Sequence, residues 1–233
     1  MTASYDIGII GAMDGEVSAI IDKLENREEL LVSGIKFNTG SLFGKRVVIA
    51  KCGIGKVFAA ICTEAMILKF APRLIVNTGV GGALDPKLRP LDIVFADRLC
   101  QHDMDTSAIG DPKGLVSGIN MIYFDADERA VSMLRESAEQ LSLNYLVGTV
   151  ASGDKFVAEA ADKSRIREDF GASACEMEGC AVAQVAYVNS TPFAVVRAIS
   201  DSADGDAGMD YMTFLPEAVR ISTALTLSLV EKY

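Results

Sequence analysis

The sequence predicts an α/β fold built on a mixed sheet, and two features of its patterning carry that prediction. Short runs rich in Ile and Val alternate with longer segments whose apolar residues recur every three or four positions. One stretch, "SGIKFNTGSLFGKRVVIAKC", is punctuated by glycine too closely to hold a helix and reads as an antiparallel meander. No internal repeat, low-complexity tract or linker divides the chain, so one domain is expected over residues 1–233.

In chain order, "YDIGIIG" has the length and β-branched content of a buried strand, and Glu16 to Leu24 carry helical spacing. The meander follows, ending on the strand "RVVIAKC", and Val57 to Phe70 form the next helix. "RLIVNTG" and "LDIVFAD" are buried strands. Asp127 to Leu141 is helical, "LVGTVASG" a strand, and Ala158 to Asp169 helical. Glu178 to Val188 is a helix entered from a strand through a junction at Met177, and "PFAVVRAIS" is the last strand. Thr213 to Tyr233 closes the chain as a long helix with Pro216 near its first turn, where a missing N–H matters little.

Composition narrows the function classes. Half of the 233 residues are hydrophobic, enough for a chain of this size to bury roughly 70–75% of its unfolded surface without staples. With 22 basic against 32 acidic residues the net charge is −10, and no basic cluster exceeds two in a row, so nucleic acid and anionic membrane are unsuited partners. The first residues lack a basic, then apolar leader, and no apolar run reaches the ~20 residues of a membrane span, so a cytoplasmic address is expected. Five scattered cysteines without a Cys-x-x-Cys pair read as buried free thiols.

Ligands of open α/β sheets sit beyond the carboxyl ends of the strands, which directs attention to "GAMDGE", "CGIGK", "NTGVGG", "SGDKF", "CEMEG" and "AISDSAD". "CGIGKV" is no Walker loop, since Ala50 and Val57 stand where the first glycine and the magnesium-binding hydroxyl belong. The dinucleotide fingerprint fails too, with Phe58 and Leu84 at its third glycine. Tight turns, or close backbone approach to a small ligand, remain as readings. His102, the one histidine, has no ligand set around it and no Gly-x-Ser-x-Gly elbow to serve, so no metal is expected. In "DSADGDAGMD" the EF-hand pattern is broken, and Asp204, Asp206 and Asp210 read as a solvated acidic loop.

Three carboxylates stand apart. Asp201 directly follows an apolar strand, where burial can raise a carboxyl pKa. Glu16 and Glu178 open helices, a position that also merely complements the helix dipole. Glu176 and Glu178 share a face on a strand but diverge by about 200° on a helix, so the junction at Met177 separates them. Glu176 keeps mainly a structural reading at its strand's end.

Together with "IGIIGAMDGEV", "GIGKV", "NTGVGG", "HDMD", "SGDKF", "EMEG" and "VVRAISD", in that order over essentially the whole chain, these carboxylates form a known pattern. The chain resembles the 5'-methylthioadenosine/S-adenosylhomocysteine nucleosidases of the nucleoside phosphorylase superfamily. That resemblance implies a three-layer α/β/α fold with a central mixed β-sheet. It also implies hydrolysis of an adenine nucleoside to adenine and the 5'-thio-substituted ribose, with no cofactor and no metal. Asp201 would protonate purine N7, with Ser200 placing it, and Glu16 would activate the attacking water. Glu178 would accept the ribose hydroxyls, Phe156 would stack on adenine and the Val157 backbone would pair with its edge. Met13 and Met177 would pack around the sugar and the thioether side, and Ile54 and Val80, the latter in the glycine turn, would also bind substrate. The resemblance further implies a homodimer, with Ile109 reaching into the partner's pocket and Tyr211 on the lid of its own subunit.

The assignments agree with the chemistry. Breaking an N-glycosidic bond builds positive charge on the ribose and negative charge on the base, so ionised Glu16 and Glu178 and a protonated Asp201 serve opposite demands. A phosphorolytic relative would need cations for phosphate, yet Asn77 stands where purine phosphorylases carry an arginine and Val80 where they often carry a serine. Valine also removes a hydroxyl that several nucleosidases place against the catalytic aspartate, so Asp201 must be held differently. Aminofutalosine is a second adenine nucleoside accepted by some relatives, and a non-catalytic adenosine-binding protein is disfavoured by the presence of all three carboxylates.

Overall fold

The computed structural model describes residues 4–202 and 207–233, which places Asp204 and Asp206 outside the described residues. Its elements run β1 (Ile7–Gly11), α1 (Asp14–Ile21), β2 (Glu25–Val32), β3 (Ile35–Leu42), β4 (Lys45–Lys51), α2 (Lys56–Phe70) and β5 (Leu74–Ala83). They continue through β6 (Ile93–Gln101), β7 (Phe124–Asp125), α3 (Glu128–Gln140), β8 (Tyr145–Ser152), α4 (Ala160–Phe170), β9 (Ala172–Glu176), α5 (Gly179–Val188), β10 (Phe193–Asp201) and α6 (Ala207–Lys232).

The ten strands form one mixed sheet with helices on both sides, as the α/β reading requires. β1 lies parallel between β4 and β5. The meander is present, with β3 antiparallel to both β2 and β4. Its turns place Ser33 and Gly34, then Phe43 and Gly44, at positive φ, the backbone that two-residue hairpins need to match strand twist. β5 is long enough to pair with β1 low down and with β10 along its length, and its end meets β9. Because β10 also pairs with β6, β6 with β8 and β8 with β9, these five strands close on one another. The ends of β1, β5, β9 and β10 and the segment that leaves β8 converge on one place, to which β6, antiparallel to β10, contributes no residue.

Two expectations need correction, and one strand has no counterpart in the sequence reading. β2, "ENREELLV", has no apolar alternation and is exposed along nearly its whole length; it forms because β3 offers a free edge, and its charges suit an edge strand. The last helix begins at Ala207 rather than Thr213, which puts Pro216 in its interior instead of its first turn. The pyrrolidine there removes one ladder hydrogen bond. Asp210 is not a solvated loop residue: it lies in the first turn of α6 and accepts the Ser202 hydroxyl at 2.6 Å and the Ser202 N–H at 3.3 Å. The helix thereby ties back to the exit of β10.

α1, α3 and α6 pack together over β5 and β10, while α2 and α5 pack on each other elsewhere on the sheet. The five cysteines are buried and free. No helix of the described residues is long and apolar enough to cross a membrane. Leu225, fully buried on α6, sits on the side of that helix that faces the sheet core. Leu225→Ala is expected to lower unfolding free energy by about 2–5 kcal/mol, read from urea midpoints at unchanged m-value.

Candidate active site

The convergent strand ends enclose a cavity of about 280 Å³. Every residue singled out above from the sequence as a site residue lines it, except Ile109. Ile109 ends a short 3-10 turn and is 82% exposed, pointing to no cavity of its own chain.

Glu16 reaches the cavity floor from the first turn of α1. Its Oε2 accepts the N–H groups of Ala12 at 2.7 Å and Met13 at 2.9 Å, and its Oε1 accepts that of Val80 at 3.3 Å. Burial pushes its pKa up, opposed by these amides and by the charge of Arg197. The three amides form an anion hole that the protein fills with its own carboxylate. Gly79 makes this possible, since a Cβ there would come to 2.5 Å from Glu16 Oε1.

Glu178 precedes α5 and receives the N–H of Gly55 at 2.7 Å. That glycine has φ +100°, so "CGIGK" is a tight turn whose backbone amide is aimed at a carboxylate. Burial, together with the negative charge of Glu176, raises the Glu178 pKa to about 7. Glu176 has the opposite fate. Burial works against its charge, but the Arg197 guanidinium, the Ser152 hydroxyl and the Gly179 amide outweigh it and hold its carboxyl below the usual range. It also accepts the Glu178 N–H at 3.1 Å, so Glu176 aims its neighbour and is otherwise occupied with Arg197.

Arg197 is the largest fully buried side chain and escaped the sequence reading. Its guanidinium binds Glu176, the Asn77 side chain and the backbone oxygens of Asn77 and Val196. The signal was a charged residue at the centre of the apolar run "PFAVVRAIS", which requires a buried partner.

Asp201 ends β10 and is 2% exposed. Ser200 Oγ donates to its Oδ1 at 3.0 Å, and Lys163 Nζ to its Oδ2 at 2.8 Å. The expected burial is present, and the buried ammonium beside the carboxylate is a feature the sequence reading did not include. Gly82 gives the carboxylate its room, because a Cβ there would lie 2.8 Å from Oδ2.

Apolar side chains complete the cavity. Phe156 meets Tyr211 edge-on at 5.6 Å between ring centroids, and Tyr211 Oη lies 3.5 Å from Met13 Sδ, so α6 reaches over the opening. Met177, Ile54, Val80 and Val157 fill the walls. His102 is buried against Gly153 and lies off the cavity. Among the described residues no group of three or more His, Cys, Asp or Glu is arranged to hold a metal ion. Four buried carboxylates, Glu16, Glu176, Glu178 and Asp201, are thus set against two buried cations, Arg197 and Lys163. The arrangement favours developing positive charge and disfavours an incoming anion.

A closed-ended mixed sheet with carboxylates at its strand exits defines a phosphorylase-superfamily protein, and residues 6–231 match the model of that superfamily. Within it, the chain belongs to the 5'-methylthioadenosine/S-adenosylhomocysteine nucleosidases. It is 40% identical over 227 residues to the nucleosidase of that name from Staphylococcus aureus strain MRSA252, covering 97% of this chain and 99% of the relative. The Neisseria meningitidis nucleosidase in complex with methylthio-immucillin-A superposes with TM-score 0.94 at 32% identity, over 98% of this chain and 100% of that one. A futalosine hydrolase of Helicobacter pylori superposes with TM-score 0.93 at 34% identity, over 98% of each chain.

The raised Glu178 pKa has a consequence for stability. With a folded value of about 7 against an ordinary 4.5, the folded protein keeps a proton that the unfolded chain has released. The stability contributed by the neutral form is full below about 4.5 and is lost as pH rises through about 7. Glu178→Gln is therefore expected to unfold at a higher temperature than the parent at pH 8, by on the order of 1–3 kcal/mol, with the gap closing towards pH 5. Calorimetric scans across that range check it; a gap independent of pH would contradict the assignment.

Proposed function

We propose that this chain, acting as one nucleosidase domain over residues 1–233, hydrolyses 5'-methylthioadenosine and S-adenosylhomocysteine to adenine and the 5'-thio-substituted ribose. It is a hydrolase of N-glycosyl bonds. The observation that carries the reading is the anion hole of Ala12, Met13 and Val80, filled by Glu16 where a phosphorolytic enzyme would leave room for phosphate.

In this reading the nucleoside enters with its base between Phe156 and the Asp201 end and its sugar over Glu178. Asp201, protonated, gives its proton to N7 as the C1'–N9 bond breaks, so adenine departs neutral. Ser200 orients it. Glu178 accepts the 2' and 3' hydroxyls and, ionised, stabilises the oxocarbenium ion. Glu16 takes a proton from the water that attacks C1', while the amides around it fix its direction. The Val157 backbone reads the adenine edge. Met13, Met177 and Ile54, with Tyr211 above, exclude water and suit an apolar 5'-thioalkyl group. Deoxyadenosine lacking the 5' hydroxyl meets the same walls and is a further substrate. The likeness to a futalosine hydrolase supports aminofutalosine as a second class, ranked by comparing kcat/KM across the nucleosides.

We also propose a homodimer. The outer face of α2 carries Val57, Phe58, Ile61 and Leu68 exposed, next to exposed Ile54 at the cavity rim, an apolar stripe that a second copy would cover. Ile109 would then close the partner's cavity. A cytoplasmic location is supported by the five free, buried thiols, which suit a reducing compartment.

Adenine release from methylthioadenosine is expected to proceed at the same rate with and without phosphate in the buffer; strict phosphate dependence would sink the hydrolytic reading. Equilibrium sedimentation is expected to give twice the 24.8 kDa of one chain. A fully active monomer would refute the shared pocket.

A further inference from the structure

We propose that Lys163 is the positioning residue of the acid, holding Asp201 Oδ2 so that Oδ1 alone faces the purine. The inference rests on the reading of Asp201 as the general acid and deepens it.

Lys163 belongs to α4, where it shares the buried stripe with Ile166 and Phe170. A lysine on a core stripe is anomalous unless paired, since a buried ammonium alone is strongly disfavoured. Here the pair is complete: both side chains are 3% exposed and the N–O distance is 2.8 Å. Lys163 Nζ also donates to the backbone oxygen of Ser202, one residue beyond the strand. One cation therefore fixes the carboxylate and the chain just after it, across 38 residues of sequence.

The two carboxylate oxygens are treated differently. Oδ2 is engaged by Lys163, which offers it only hydrogens and cannot receive one. Oδ1 is engaged by Ser200 Oγ at 3.0 Å, and that hydroxyl has a second acceptor, the Gly81 carbonyl oxygen, at 3.3 Å. Rotating to Gly81 frees Oδ1. A proton on Asp201 can then sit only on Oδ1, the oxygen not held by the ammonium, and the acid is presented in one orientation. Val80 explains why this hold is needed here: its side chain has no hydroxyl with which to orient Asp201, and the main chain of β5 offers Asp201 no Cβ to lean on at Gly82.

Among the described residues, the charged and titratable groups around Asp201 are Lys163 from α4, Cys175 and Glu176 from β9, Tyr211 from α6 and, lining the same cavity, Glu16, Glu178 and Lys155, with Asp210 on Ser202. The Cys175 thiol, pushed up to about 12 mainly by burial, and the Tyr211 phenol, also raised mainly by burial, stay neutral at working pH. Among the described residues Lys163 is then the one cation bonded to Asp201. Its removal takes away the charge that favours an ionised carboxylate and frees the carboxyl to turn.

The test compares kcat/KM against pH for the parent, Lys163→Met, Lys163→Gln and Lys163→Arg, with Asp201→Asn alongside. In the Met and Gln variants the limb on which activity falls with rising pH is expected to move upward by on the order of one pH unit. At the optimum, kcat is expected to drop about tenfold or more, with KM changed little. Lys163→Arg, which keeps the charge, is expected to hold the limb in place. Two folded Lys163 variants with the parent's limb, or a loss confined to KM, would overturn the role of Lys163 while an inactive Asp201→Asn left the acid assignment standing. Near-normal turnover by Asp201→Asn would overturn the acid itself. Should Met not fold in that buried site, Gln, polar but uncharged and one atom shorter than Lys, carries the same comparison.

Discussion

Burying four carboxylates within one cavity is the constraint from which the rest of the site follows. Each ionised group raises the cost of ionising the next, and burial weakens the screening between them. The chain separates them by giving each a different partner. Glu176 is neutralised by Arg197, Asp201 by Lys163, and Glu16 by three backbone amides. Glu178 receives one amide and no direct cation, and burial with the charge of Glu176 raises its pKa to about 7. In the proposed reaction this least compensated carboxylate is the one set against the developing cation of the sugar.

The glycine turn of β5 serves this partition by absence. Gly79 and Gly82 leave the volume that Glu16 and Asp201 occupy, so the strand can run beside two acids at distances that any side chain would block. Asn77 on the same strand holds Arg197 through both its side chain and its carbonyl. A single strand thus sets three of the site's charges. The closure of β5, β10, β6, β8 and β9 on one another then fixes these groups on a rigid frame rather than on loops.

Much of this was legible in the residues. The period of the Ile and Val runs gave the strands, and the glycine-punctuated meander gave the mixed sheet. The order of short motifs marked the wall residues together with Glu16, Glu178 and Asp201. What was illegible has identifiable causes. β2 lacks apolar alternation because it is an exposed edge, and a sequence pattern reports burial, not pairing. The start of α6 was missed because "DAGMDYM" has a weak apolar period and Pro216 resembles a start signal. Arg197 and Lys163 were passed over although each is a charge on an apolar stripe, because a stripe tells that a partner is needed without telling which.

The sequence by itself determined the type of fold and the reaction class and singled out carboxylates that meet in the cavity, because local period and motif order depend on neighbours along the chain. Only the tertiary structure decided how those carboxylates differ from one another. The pairings of Asp201 with Lys163 and of Glu176 with Arg197 span 38 and 21 residues, and the amide that meets Glu178 comes from Gly55, 123 residues away. Protonation, orientation and charge depend on such long-range neighbours through distance and burial, and these come into being only when the sheet closes.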